Sequence, residues 1–234
     1  MSQSITRVAM ISGGSRGIGA AIASDLLAHG WAVSLGCRTP HAVANDHPGQ
    51  QINCHYDALD ADSDARWIAE TLNAFGRIDA VIHNAGMMIP RSVLEASDEE
   101  FDQLFAVNVK APMRLSRKVW PYLKQSGSGR IVMLVSLSGK RVKSAQSSLY
   151  AMSKFAALAL AHALRRLGDE EGIRSSAICP GFVATDMGTA LTEVPAEKMT
   201  QPQDIAVLVR TLLHLPNSAS IAEIPVNWTV EDNY

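Results

Sequence analysis

Residues 7–29 read RVAMISGGSRGIGAAIASDLLAH. A short apolar run (7–11) leads into Ser12-Gly13-Gly14-Ser15-Arg16-Gly17-Ile18-Gly19, and an apolar-periodic helix over 20–29 follows. Strand, glycine turn and helix in that order are the setting a phosphate group needs. Glycines let the backbone come close to the ligand, and the helix N-terminus offers unpaired N–H groups and the positive end of its dipole. The spacing Gly13-x-x-x-Gly17-x-Gly19 differs from the Gly-x-Gly-x-x-Gly dinucleotide fingerprint. The bland alternative is an ordinary glycine-rich strand-to-helix turn, so the rest of the chain has to decide.

The remaining apolar runs, at 31–36, 51–56, 78–83, 129–136, 173–179 and 222–226, read as strands. The run at 129–136 is apolar nearly throughout, as expected for a strand buried on both faces of a parallel sheet. Helical patterns fall between the runs. One is capped by Asp62 or Ser63 and ends near Phe75-Gly76. Ser97-Asp98-Glu99-Glu100 is a capping box that opens a long helix through Asn108 to about Lys124. Another begins near Ser147 and runs on through alanine-rich 156–163, and the last covers about 202–215. Residues 39–50, with Pro40, Pro48 and Gly49, read as a loop where a crossover helix would normally lie. The alternation predicts an α/β fold, a doubly wound parallel (Rossmann-type) sheet of about seven strands, in a single domain over 1–234.

A chain of 234 residues, 47% hydrophobic and 19% charged, can bury a large core, and its net charge of −2 argues against nucleic-acid binding. Cys37, Cys54 and Cys179 are odd in number and lack metal-site spacing, so they read as reduced packing residues and no metal is expected. The first residues show no signal-peptide pattern and no apolar run reaches membrane-span length. The expectation is a cytoplasmic protein without a membrane partner.

The chemistry gathers between Ser136 and Lys154. Tyr150 and Lys154 are four apart on a helix and share one face, about 5–6 Å apart at Cβ. A phenol of ordinary pKa, about 10, moves protons poorly at neutral pH, and a neighbouring ammonium lowers that value toward a usable acid or base. The Ser136 hydroxyl is placed to polarise a substrate carbonyl. Arg38 lies about 20 residues beyond the last glycine, where a carboxylate would bind a ribose 2′-hydroxyl and an arginine suits a 2′-phosphate. Arg38 and Arg16 together favour NADP(H) over NAD(H). Asp57 is a plausible partner for an adenine amino group. Asn108 costs helix propensity, and most such residues simply face water.

With the Gly13/Gly17/Gly19 turn, Asp57, Asn84-Ala85-Gly86, Asn108, Ser136, Tyr150/Lys154 and Pro180-Gly181 with Thr185 in this order, nearly the whole chain resembles the short-chain dehydrogenase/reductases, in their single-domain branch. The resemblance implies roles. Tyr150 would protonate the carbonyl oxygen, Lys154 would lower its pKa and hold the nicotinamide ribose, and Ser136 would orient the carbonyl. Asn108 would hold a water linking Lys154 to solvent. Gly13, Ser15, Arg16, Gly17, Ile18, Gly19, Arg38, Asp57, Asn84, Ala85 and Gly86 would line the cofactor. Pro180, Gly181, Val183 and Thr185 would meet the nicotinamide carboxamide.

Departures from the family pattern are His83 for a usual Asn, Ser12 for a usual Thr, and Pro225-Val226-Asn227-Trp228 for a usual Val-Asp-Gly-Gly turn. The loop before Tyr150 is one residue longer than common, which keeps Ser138 as a second candidate hydroxyl. A short substrate lid is expected at about 181–201, over a fairly open pocket. Met87, Met88, Leu137, Gln146, Phe182 and Met187 are candidate walls, suited to apolar or aromatic carbonyl compounds. Lys140, Arg141 and Lys143 read as a solvated or subunit-facing loop, in preference to a site for an acidic substrate. His162 reads as packed or interfacial, and the alanine-rich helix as a surface for the sheet or for a homodimer or homotetramer. The leading reading is a reductase of ketones or aldehydes. The alternatives are an NAD-dependent alcohol dehydrogenase working oxidatively and a catalytically silent dinucleotide sensor.

Overall fold

The computed structural model describes residues 6–40 and 47–230. In chain order the elements are β1 (Val8–Ser12), α1 (Gly17–Ala28), β2 (Ala32–Cys37), β3 (Gln51–His55), α2 (Ser63–Phe75), β4 (Ala80–His83) and α3 (Asp98–Phe105). They continue with α4 (Ala111–Gln125), β5 (Arg130–Leu134), α5 (Ser148–Leu167), β6 (Arg174–Pro180), α6 (Asp186–Thr189), α7 (Pro202–His214) and β7 (Glu223–Val226). The described residues form a seven-stranded sheet in the order β3-β2-β1-β4-β5-β6-β7. Every neighbouring pair is parallel. The doubly wound fold expected from the alternation is the one observed.

The strand order reverses between β1 and β4, and ligands of such sheets bind outside the carboxyl ends of the strands at that switch point. The glycine turn follows β1 and Asn84-Ala85-Gly86 follows β4, so the topology delivers both to one crevice.

Two apolar layers hold the sheet. On one side α1 and α7 bury Ile22, Leu26, Ile205, Val209 and Leu213 against Ala9, Ile11 and Val33. On the other, Trp67, Leu115, Val119, Leu123, Ala157 and Ala161 pack on Met10, Val81 and Met133. Each large side chain fully removed from water contributes about 1.5–3 kcal/mol. Ala157 and Ala161 thus face the sheet, one of the two roles expected for the alanine-rich stretch, whereas Ala159 and Ala163 are exposed. Trp67 donates its indole N–H to Ser34 Oγ (2.8 Å) and fills the space that a side chain at Gly36 would need.

Element edges moved by one to three residues from the sequence reading. α1 starts at Gly17, because Gly17-Ile18-Gly19 form its first turn behind an extended Arg16 (φ −157°, ψ 172°). Residues 39–40 and 47–50 hold no helix, and 41–46 lie outside the described residues. The long helix expected from Ser97 to about Lys124 forms without interruption over 98–125. Its capping box forms, and a π turn at Ala106–Lys110, centred on Asn108, widens it between α3 and α4. Pro112 accounts for the widening: it has no N–H for the Asn108 carbonyl four residues earlier, and its ring disfavours the ordinary register there. Among the described residues no helix is long and apolar enough to cross a membrane.

His83 ends β4 fully inside the protein, its Nε2 2.8 Å from Ser116 Oγ, and burial pushes its pKa down to about 3. A histidine whose folded pKa lies below its unfolded value near 6.5 leaves stability intact above that pH. It withdraws stability as pH falls from about 6.5 toward about 3, because only the unfolded state takes up the proton. Relative to neutral pH, this one group costs about 2–3 kcal/mol near pH ~4.5. His83→Asn removes that component, so urea midpoints of variant and parent converge at acid pH relative to their separation at about pH 7.5. An identical acid dependence in both would refute the assignment.

Candidate active site

The glycine turn is built around Ser12. Its hydroxyl accepts from the backbone N–H groups of Asn84 (3.1 Å) and Ala85 (3.0 Å). Asn84 Nδ2 donates back to the carbonyls of Ser12 and Gly13, both at 3.0 Å. These bonds knot the β1 turn to the segment after β4, so serine serves where threonine is usual. Gly13 (φ 67°) and Gly17 (φ 54°) adopt left-handed backbone that side chains disfavour. Gly19 is needed for space: a Cβ there would stand 2.3 Å from the Gly13 carbonyl oxygen. Together the turn and the start of the twelve-residue α1 form a backbone cradle for an anion, with Ser15 and Ile18 beside it.

The other half of the site comes from β5, α5 and the π turn. Ser136 is fully extended, and its hydroxyl accepts from the Ser138 N–H at 3.0 Å, which leaves its own hydrogen to donate outward. Lys154 Nζ donates to the Leu134 carbonyl (3.0 Å) and lies 5.6 Å from the centre of the Tyr150 ring. The Asn108 amide is fully used. It accepts from Met87 N (3.0 Å) and donates to Met87 O (2.9 Å) and Ser153 Oγ (3.0 Å). Ser153 in turn donates to the Tyr150 carbonyl at 2.7 Å. Asn108 therefore staples the Asn84-Ala85-Gly86 segment to the helix that carries Tyr150 and Lys154. A water linked through Asn108 would have to meet its main-chain carbonyl, the group Pro112 leaves without its usual donor.

The titration of the pair corrects the sequence reading. Burial pushes the Tyr150 phenol up to about 12, opposed by the Ser136 hydroxyl, and pulls Lys154 down to about 8. Spacing along a helix places the ammonium near the phenol, but enclosure by the rest of the protein sets the larger effect.

Of the remaining expected cofactor residues, Arg38 is exposed just past β2. Arg16 pairs with Asp186 of α6 at 3.1 Å, both side chains mostly in water. Such a bridge is worth at most about 1 kcal/mol and is readily exchanged for a phosphate. Asp57 accepts from Leu59 N at 2.9 Å. Thr185 caps α6 by accepting from Gly188 N (3.1 Å) and touches the glycine turn, its methyl 3.2 Å from a Cβ built on Gly17. Gly181 N donates to Val226 O (2.7 Å), and Val183 bridges to Thr200, which orders the segment after β6.

A cavity of about 620 Å³ opens between these parts. Ser136, Ser138, Tyr150, Lys154, Pro180, Gly181, Val183 and Thr185 line it, as do all six expected wall residues, Met87, Met88, Leu137, Gln146, Phe182 and Met187. The basic loop is solvated in part, as expected, with residues 142–146 exposed. Lys140 pairs with Glu223 at 2.5 Å, and Glu223 also meets His162 Nε2 at 2.7 Å, whereas Arg141 and Lys143 line the cavity. Asn227 and Trp228 line it too. The sequence signals were the longer loop before Tyr150 and the altered turn after the last strand.

Comparison with known proteins agrees with this geometry. The family model described as short chain dehydrogenase matches residues 7–196. Agropine synthesis reductase of Rhizobium rhizogenes is 40% identical over 92% of this chain but only 50% of its own length, so the chain spans about half the length of the first curated relatives it matches. An alcohol dehydrogenase from Thermococcus sibiricus, solved in complex with 5-hydroxy-NADP, superposes with a TM-score of 0.86 at 30% identity, covering 98% of this chain and 100% of that one. A 3-ketoacyl-(acyl-carrier-protein) reductase from Brucella melitensis, solved with NADH, shares the fold at TM-score 0.88 and 22% identity, over 96% and 98% of the two chains.

Proposed function

The chain belongs to the short-chain dehydrogenase family of oxidoreductases, and from that premise we propose that it reduces a ketone or aldehyde with NADPH. The observation that carries this reading is that Ser136, Tyr150 and Lys154 line one cavity with Asn84 and Gly86, which Ser12 and Asn84 tie to the glycine cradle. The cradle fits a dinucleotide: left-handed Gly13 and Gly17 shape the turn at the N-terminus of α1, whose free N–H groups suit a pyrophosphate, and Gly19 leaves the room that turn needs to close on itself. The bound nicotinamide supplies hydride; the protein supplies orientation and one proton. Tyr150 and Ser136 aim two hydroxyl hydrogens at the carbonyl oxygen. A phenol held near 12 is protonated at neutral pH and so carries the proton that reduction requires, though it releases it less readily than a phenol closer to neutrality. Lys154 holds the ribose hydroxyls and passes protons inward, and the segment 181–201 covers the substrate.

The NADP(H) preference rests on Arg38 with Arg16. Removing a charge-assisted hydrogen bond to phosphate costs about 1.5–3 kcal/mol. Arg38→Ala therefore weakens NADPH binding by roughly ten- to a hundredfold with NADH nearly unchanged, read by nicotinamide fluorescence. An unchanged NADPH preference would remove Arg38 as the determinant, and a parent protein that prefers NADH would favour the dehydrogenase alternative. A homo-oligomer belongs to the proposal: α5 turns Met152 and Phe155 outward, 44% and 43% exposed, and Phe101 of the adjoining α3 is exposed as well. So does a cytoplasmic location, on three buried free cysteines.

A further inference from the structure

A bound dinucleotide has two ends, and the fold fixes where each lies. Ser136 follows β5, and Tyr150 and Lys154 stand on α5, so the nicotinamide lies on the β4-β5-β6 side of the glycine turn. A doubly wound sheet is built from two mononucleotide-binding halves, which leaves the adenosine over β1, β2 and β3. The turn 57–60 closes that half at the carboxyl edge of the sheet. Tyr56 N donates to the Cys37 carbonyl at 3.0 Å, and Asp57 comes next along the chain.

That turn is held from α4. Arg114 Nε and Nη2 both donate to Asp64 in the first turn of α2, the latter at 3.2 Å. Nη2 also meets the main-chain carbonyls of Ala58 (3.1 Å) and Asp60 (3.4 Å). One helical turn on, Lys118 Nζ donates to the Ala61 carbonyl at 2.8 Å and lies 3.3 Å from Asp64. Residues four apart on a helix share a face, so one face of α4 clamps the turn. Asp64 is wholly buried, and the Arg114 side chain is 11% exposed.

Stability alone is a poor reason for such a pair. A buried ion pair replaced by apolar side chains of similar size often leaves stability unchanged or raises it. Apolar side chains do not supply direction, whereas a rigid fork of donors reaching two main-chain carbonyls sets where the turn sits. The π turn that opens into the same helix carries Asn108, tied to Met87 and Ser153 at the reacting end. Only about 9 Å of helix separates Asn108 from Arg114. We propose that Arg114 is a positioning residue for the adenosine half of the cofactor, with α4 setting the span between the turn 57–60 and the reacting end. This inference rests on the dinucleotide reading and deepens it.

The test uses the double variant Arg114→Met/Asp64→Leu, because Arg114→Met alone strands a buried carboxylate. Three ligands are titrated into variant and parent: NADPH, adenosine 2′,5′-bisphosphate as its adenosine half, and NMNH, which has no adenosine. The variant keeps a urea midpoint close to the parent's. It binds NADPH and the bisphosphate about tenfold more weakly, the worth of one well-made hydrogen bond, and NMNH within about twofold of the parent. Unchanged affinity for NADPH and the bisphosphate overturns the inference. So does a loss that NMNH shares, with or without a fall in the urea midpoint, since that marks a merely structural pair. A parent that binds no dinucleotide overturns the dinucleotide reading itself and this inference with it, which tells the two failures apart.

Discussion

Tyr150→Phe lowers kcat by about a hundred- to ten-thousand-fold, the span general acid catalysis covers, while NADPH binding holds. The change deletes one oxygen from a ring on α5. The helix there is fixed by groups the substitution leaves alone: buried Leu149 and Ala151, and the Ser153 hydroxyl donating to the Tyr150 main-chain carbonyl at 2.7 Å. Ser136 is a poor substitute as acid, since its hydroxyl is held by the Ser138 N–H for donating a hydrogen bond and an alcohol gives up its proton reluctantly. Lys154 is 5.6 Å from the ring centre and tied to the Leu134 carbonyl. The pH profile adds a second reading. With Lys154 at about 8, the reductive rate is flat through neutrality and falls as the ammonium is lost above that value, well before the phenol at about 12 titrates. Steady-state assay of purified variant and parent, with a fluorescence titration of NADPH, decides it. Full activity in the variant would sink the assignment of Tyr150.

What the sequence made legible was what neighbouring residues encode by themselves. A strand, a glycine turn and a helix within residues 7–29 name the cradle because each part has a local physical signature. The pair Tyr150/Lys154 is legible because a helix fixes its spacing. Ser97 and Glu100 are legible because the capping box closes within one turn. The π turn at Asn108 was not, since a proline four residues on is compatible with several helix irregularities. Nor was the direction of the Tyr150 pKa, which depends on burial by parts of the chain distant from it in sequence. Arg141, Lys143 and Asn227 looked like loop residues because a cavity wall assembled from the β5–α5 loop and the chain after β7 has no single-stretch signature. Lys140 shows the same limit in reverse: one residue away from Arg141, it turns to Glu223, which also meets His162, instead of the cavity.

Gly19→Ala weakens dinucleotide binding by about a hundredfold and costs about 1–3 kcal/mol of stability or more, the range for overfilled packing. The reason is space, not backbone conformation, because Gly19 is already helical and its φ is not among the left-handed glycines. A methyl would stand 2.3 Å from the Gly13 carbonyl oxygen and 2.6 Å from Asn84 Nδ2. Neither can yield cheaply. That carbonyl accepts from Asn84 Nδ2 at 3.0 Å, so displacing it also loosens the bond tying the β1 turn to the segment after β4. The turn would open and the start of α1 would tilt away from where phosphate oxygens have to be met. Gly14 provides the control within the same loop. A Cβ there meets the Leu35 side chain, nearest at 2.9 Å, with no main-chain oxygen in the way, so Gly14→Ala has the smaller effect on both readouts. Fluorescence titration with NADPH and urea midpoints separate loss of the cradle from loss of the fold. A Gly19→Ala protein that binds NADPH within about twofold of the parent, less than one weak contact is worth, would show that the cradle is not where the dinucleotide sits.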